Sequence, residues 1–223
     1  MEITIDSSIS STIPDFKIGF IQYHHIEVGS SPQMLKGRLQ LFQESIFFDL
    51  QDKNVTELAG IAEWRDIFKK TGKDPNRYRH SAEALYRRVK KQNYLNSINS
   101  AIDLNNFFSL QYEVPIGIYD CAKLKGDTIQ LKIGAEGETY IGLNGRENSI
   151  ENLIVSSDRD GPFGSPFVDS DRAPVGETTK NAVQIIFLKP SLSMEESQKL
   201  TQSLMDMFLG IHGGEGSCEI VTG

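Results

Sequence analysis

The chain has 223 residues, 39% of them hydrophobic and 24% charged, with a formal net charge of −7. These totals describe an ordinary globular protein with enough core for independent folding, as one large domain or two small ones. No apolar run approaches the roughly 20 residues of a membrane helix, and the opening MEITIDSSIS lacks the basic and apolar regions of a signal peptide. The expected location is therefore cytoplasmic. Cys121 and Cys218, about a hundred residues apart and in no CxxC pair, are read as buried free thiols and argue against a disulfide scaffold.

In chain order, Ile3 and Ile5 alternate with polar residues, and Phe16 to Ile21 is a short apolar run. The first 30 residues are read as strands, closed by the turn residues 29 to 32. Apolar positions from Pro32 to about Gln51 recur at helical spacing. A second helical pattern runs through Leu58, Ile61, Trp64, Ile67 and Phe68 and ends at Gly72. Lys73-Asp74-Pro75-Asn76 forms a turn. Ser81 is the expected N-cap of a helix with Ala82, Ala84, Leu85 and Val89 on its inner side. A further helix spans Ile98 to about Leu110, followed by a loop holding Pro115 and Gly117. Residues 128–133, 139–143 and 153–155 read as short strands, with Asn144-Gly145 as a hairpin turn. Residues 158–174 read as a long polar loop, and Ala182 to Leu188 as a buried strand. Ser193 and Glu196 make a capping box for a helix reaching about Leu209, and a last strand covers Cys218 to Thr222. Helices early and strands late predict an α+β fold in place of βαβ winding.

Residues 64 to 91 contain ten of the chain's 23 Lys and Arg and only three acids, Asp66, Asp74 and Glu83. A cluster this local creates a positive face that can steer a polyanion although the whole molecule is acidic. Its cations Lys69, Lys70, Lys73, Arg87, Arg88, Lys90 and Lys91 are candidate RNA contacts, with Tyr78 and Tyr86 interleaved as stacking surfaces. Arg87, Arg88, Lys90 and Lys91 also suit a helix C-terminus, whose dipole favours positive charge. Arg77 and Arg79 precede the helix, so the dipole does not account for them.

Other chemistries find little support. His24 and His25, adjacent on a strand, point to opposite faces and do not share a metal; no metal and no other cofactor is expected. The chain has neither a GxxxxGK[ST] nor a GxGxxG phosphate loop, and His212-Gly213-Gly214 lacks the GxSxG partner of an esterase. Two polar groupings remain: Asp103-Leu104-Asn105-Asn106 within an apolar stretch, and the loop carrying Asp158, Asp160, Asp169 and Asp171.

The segments from Trp64 to Arg88, from Ile98 to Asn106, from Pro115 to Asp120, and Glu177 to Val183 resemble, in order, the B3/B4 domain of the phenylalanyl-tRNA synthetase β subunit. The resemblance covers about residues 60 to 190 and includes neither catalytic nor anticodon-binding modules, so the chain looks like a free-standing member. It implies an α+β fold with a layered β-sandwich of unusual topology flanked by helices. Residues 1–60 would be strands and a helix packed on the same domain, and residues 61–223 the B3/B4-like domain with a C-terminal helix and strand.

In the synthetase this domain hydrolyses tyrosine wrongly attached to the phenylalanine tRNA. The resemblance therefore implies a partner, the aminoacylated end of a tRNA, or a small amino-acid-like ligand, and no membrane. The editing version has a Thr-Asn pair where this chain has Asn105-Asn106, and a histidine where it has Gly117. Asn106 would donate to the ester carbonyl, and Asp169 or Asp171 would hold the ammonium group or a water. Arg77, Arg79, Ser81, Glu83, Asn105 and Gly117 would line the pocket, the arginines binding a phosphate or carboxylate. Two readings follow: a hydrolase that edits misacylated tRNA in trans, or a binding module without catalysis.

Overall fold

The apolar run at Ala182–Phe187 is buried along its whole length because the strand it forms is covered on both faces. The computed structural model describes residues 1–223. This strand, β9, lies inside an antiparallel sheet of order β10-β2-β9-β3, built with β2 (Lys17–His24), β3 (Ile116–Asp120) and β10 (Glu215–Thr222). The second sheet runs β1-β4-β7-β8, from β1 (Glu2–Ile5), β4 (Thr128–Ile133), β7 (Ile154–Asp158) and β8 (Gly161–Gly164). Its β1 and β4 are parallel and its other pairs antiparallel.

Strand alternation divides the side chains between two cores. Phe16, Ile18 and Phe20, together with Val183, Ile185 and Phe187, meet Ile3, Ile129, Leu131, Val155 and Phe163 of the other sheet. This is the sandwich core. Ile21, Tyr23, Ala182 and Ile186 point the other way, into the helices. Those helices are α2 (Gln33–Asp49), α4 (Ser81–Lys90), α5 (Ser100–Tyr112) and α6 (Met194–His212). Trp64 and Phe68 of α3 (Ala59–Lys70) join the sandwich core, while its Ile61 joins the helical one. The architecture is an α+β sandwich with helices on one face, and its first residues supply a strand to each sheet.

Several local signals are realised as read. The Ser193–Glu196 capping box opens α6, with the Glu196 carboxylate accepting from the Ser193 N–H at 2.8 Å. Asn144-Gly145 turns the hairpin of β5 (Thr139–Ile141) and β6 (Glu147–Ser149), Gly145 taking a φ of 71°. Four expectations are corrected. A short helix, α1 (Ser7–Thr12), follows β1 because Asp6 caps it. The N-cap of α4 is His80, whose Nδ1 accepts the Glu83 N–H at 3.4 Å, so Ser81 is the first helical residue. The expected loop holding Gly117 is a strand, since Ile116 to Asp120 pair with β9, and Pro115 stands just before it. The long polar loop contains β8, and Asp158 closes its base through Arg172 at 2.5 Å.

Candidate functional site

β3 is the edge strand of its sheet, and a cavity of about 240 Å³ opens along that edge. One wall is α5, which contributes Ile102, Asn105 and Asn106, together with Ser81 at the start of α4. Ile116, Ile118 and Tyr119 of β3 form the floor. Leu143 and the segment from Phe167 to Val175 close the other side, bringing Val168, Asp169 and Ser170 to the lining. Nine of the fifteen lining residues are hydrophobic. Convergent polar groups in a mostly apolar recess are the usual composition of a small-ligand site.

Each polar group is held differently. The Asn105 carboxamide oxygen accepts from Gln184 Nε2 of β9, whose Oε1 accepts the Tyr23 hydroxyl at 2.7 Å. Asn105 is therefore fixed by a buried network. The side chain of Asn106 has no hydrogen-bond partner within the protein and is partly open to the cavity. Asp169 Oδ1 accepts the Tyr119 hydroxyl at 2.7 Å and the Ser165 N–H at 3.2 Å. Burial pushes the Asp169 carboxyl up to about 6, although both hydrogen bonds favour its charged form. No lysine, arginine or histidine lines the cavity. Asp103, on the same helix, is not a member of this site. Its carboxylate accepts from the Ser31 and Ser97 hydroxyls and from the Ile98 N–H at 2.9 Å, pinning the segment before α5.

A second concavity, of about 540 Å³, lies at the C-terminal end of α4. It is lined by Arg79, Arg87, Arg88, Lys90 and Lys91 with Asn54, Val55, Thr56 and Asn93, and by no acidic residue. Five cations with no acid among them give this concavity a positive potential, which favours anions. Arg87 is steadied by Glu83, which is fully buried and also takes the Arg65 guanidinium at 3.1 Å. Arg79 and Ser81 stand on either side of the N-cap His80, one lining each concavity. His80 is itself a core residue, and burial lowers its pKa to about 4, so it is neutral at pH 7.

Of the residues expected to share one pocket, Ser81, Asn105, Asn106 and Asp169 line the same cavity. The others are placed elsewhere. Arg77 is exposed, its guanidinium 5.4 Å from the Tyr78 ring, and Arg79 belongs to the basic cleft. Glu83 is a buried ion-pair partner and not a cavity wall, because two arginines claim it. Gly117 is buried in β3 beside the cavity, and a side chain there would run into the Tyr119 hydroxyl and ring. Asp171 is exposed, outside the lining.

Among the expected RNA contacts, Lys73 is 6% exposed and donates to the carbonyls of Ser149 and Glu151 at 3.2 and 2.6 Å. It is a structural cation. Lys70 pairs with Asp66 at 3.0 Å, and neither it nor Lys69 lines the cleft. Tyr119 and Phe167 were not expected in the site. Their only sequence signals are an aromatic residue two positions after Gly117 and one within a polar loop. His212 ends α6, stacked on Phe208 at 3.9 Å. Its Nδ1 donates to the Phe208 carbonyl and its Nε2 accepts the Ser100 hydroxyl, each at 2.8 Å. No helix is long and apolar enough to cross a membrane.

The model of the B3/4 domain family matches residues 63–203. The uncharacterized protein YhzB of Bacillus subtilis is 36% identical over 222 residues, spanning the whole of both chains. The phenylalanine–tRNA ligase β subunit of Paramagnetospirillum magneticum is 38% identical over 69 residues, 30% of this chain and 8% of that subunit. That of Bifidobacterium longum is 28% identical over 119 residues, 52% of this chain and 13% of the subunit. Among solved structures, an N-terminal fragment of the phenylalanyl-tRNA synthetase β subunit from Pyrococcus horikoshii aligns with a TM-score of 0.47 at 14% identity. That alignment covers 100% of this chain and 54% of the fragment.

Proposed function

This chain belongs to the B3/4 domain family, and on that premise we propose that it binds the aminoacylated end of a tRNA and hydrolyses the ester. The observation that carries the reading is the pairing, on one mostly apolar cavity, of Asn106 without a protein partner and Asp169 without a cation. An aminoacyl ester offers a group for each. Its carbonyl oxygen takes a donor from Asn106, a bond that strengthens as the oxyanion develops. Its ammonium group, or an attacking water, takes the Asp169 carboxylate. The apolar walls receive the amino-acid side chain and select it by size.

The RNA lies, in this reading, along the cleft of Arg79, Arg87, Arg88, Lys90 and Lys91, whose charges contact phosphates and carry no sequence information. A second reading, binding without turnover, draws on a different observation: Tyr119 and Asp169 are the only titratable groups on the cavity wall. The two are separated by incubating the protein with Tyr-, Phe- and other aminoacyl-tRNAs. Deacylation faster than buffer for at least one supports the hydrolase; salt-sensitive binding without deacylation supports the module. Neither outcome for any tRNA overturns both.

A further inference from the structure

Tyr119 is confined more tightly than a cavity-lining residue requires. A Cβ at Gly117, two residues earlier on β3, or at Gly164, the last residue of β8, would collide with its hydroxyl and ring. Phe163 packs edge-on against the same ring, with centroids 4.7 Å apart. Two neighbours without side chains and one aromatic wall leave the phenol a single place to lie. From there its hydroxyl donates to Asp169 Oδ1 at 2.7 Å, joined by the Ser165 N–H at 3.2 Å. Oδ2 receives no donor from the protein, and Asp169 lines the cavity.

We propose that Tyr119 is the positioning residue of this cavity, fixing Asp169 so that Oδ2 alone faces inward as the acceptor for a ligand's primary ammonium group. The inference rests on the reading above and narrows its ligand class. A guanidinium recognises a carboxylate best through two parallel hydrogen bonds, and one oxygen here is already filled by two donors. A single-point cation such as an ammonium fits the remaining oxygen. The apolar walls, Ile102, Ile116, Ile118, Leu143 and Val168 among them, favour a ligand with a hydrocarbon side chain beside that ammonium group.

The titratable groups facing Asp169 are Tyr119 of β3 and Tyr140 of β5, both of which burial keeps protonated at neutral pH. No arginine, lysine or histidine is paired with it or shifts its titration. Burial raises the Asp169 pKa to about 6, and the Tyr119 hydroxyl acts against that rise. A Tyr119→Phe change keeps the ring and removes only this donor. It should raise the Asp169 pKa further, lowering its ionisation constant about tenfold. A residue that merely packed would lower the melting temperature and leave the titration alone.

The test is a carbon-13 NMR titration of the aspartate carboxyls in the full chain, with Asp169 assigned through Asp169→Asn, alongside binding of 2-phenylethylammonium near pH 7. We expect a wild-type midpoint near 6, a higher midpoint in Tyr119→Phe, and ammonium binding at pH 7 weakened about twofold in that variant by the smaller charged fraction. An unchanged midpoint in Tyr119→Phe overturns the proposal. So does equal binding of 2-phenylethylammonium by the wild type and by Asp169→Asn, which stays decisive if Tyr119→Phe does not fold. If Asp169 titrates as described while no aminoacyl-tRNA is hydrolysed or bound, the functional reading fails and the positioning role stands.

Discussion

Replacing Glu83 by Ala removes the one carboxylate that neutralises both Arg65 and Arg87. Glu83 is 0% exposed, Arg65 is 14% exposed and Arg87 39%, so the two ion pairs differ in how much water screens them. Arg65 gives both its hydrogen bonds to Glu83 through Nη1 at 3.1 Å, and also reaches the Pro75 carbonyl and the Asn76 side chain. Deleting one partner of a buried pair leaves the other charge uncompensated, at a cost of about 3 kcal/mol. Arg87 is wet enough that Arg87→Ala should cost only about 0.5–1 kcal/mol. For a chain of this size, 3 kcal/mol corresponds to roughly 6–12 °C in melting temperature. Urea denaturation of both variants and of the double variant measures these values and their coupling. A Glu83→Ala loss below about 1 kcal/mol, or one equal to that of Arg87→Ala, would refute the assignment of Glu83 as a buried ionic hub.

Asp169→Asn should stabilise the protein at pH 8 by up to about 3 kcal/mol while abolishing ammonium recognition, since the folded carboxyl titrates near 6 and the unfolded one near 4. The sign follows from proton binding. The folded state holds the extra proton between these values, so wild-type stability falls as pH rises through that window and the advantage of Asn vanishes below about pH 4; urea melts at pH 8 and pH 4 check both ends. Gly117→Ala should cost about 1–3 kcal/mol by crowding Tyr119, read as a lower urea midpoint. Arg88→Ala, in the basic cleft, should weaken tRNA binding and reduce its salt dependence, whereas Lys69→Ala should change neither in a filter-binding titration. Lys73→Ala should destabilise the fold by about 1–3 kcal/mol, because it strands two carbonyls, without altering the salt slope of RNA binding.

How far the sequence carries can be seen residue by residue. β9 was legible because a strand buried on both faces must be a continuous apolar run; its one polar residue, Gln184, marks the buried bridge between Tyr23 and Asn105. The C-terminal half of α4 was legible from its charge, Arg87, Arg88 and Lys90 crowding the last turn, whereas its N-cap was not. β3 was not legible, because Pro115 and Gly117 look like loop residues, and only pairing with β9, some seventy positions later, makes Ile116–Asp120 a strand. Asn105, Asn106, Ser81 and Asp169 do line one cavity, but the resemblance, and not local pattern, put them together.

Arg79 was assigned to the wrong concavity because sequence places it two residues from Ser81 and does not show that His80 turns the chain between them. Charge alone likewise does not separate Lys73, spent on buried carbonyls, from Lys90 and Lys91, which line a cleft. Tyr119 escaped notice because its meaning lies in Asp169, fifty residues away, and in two glycines on different strands.

The cavity along the β3 edge as the seat of an aminoacyl group is tested most directly by NMR with a non-hydrolysable 3′-aminoacylamido-adenosine. The account predicts shifts concentrated at Asn105, Asn106, Tyr119, Asp169 and Ser170, lost in Asp169→Asn. Saturable binding that moves none of these residues, or no binding by any aminoacyl analogue, would contradict it.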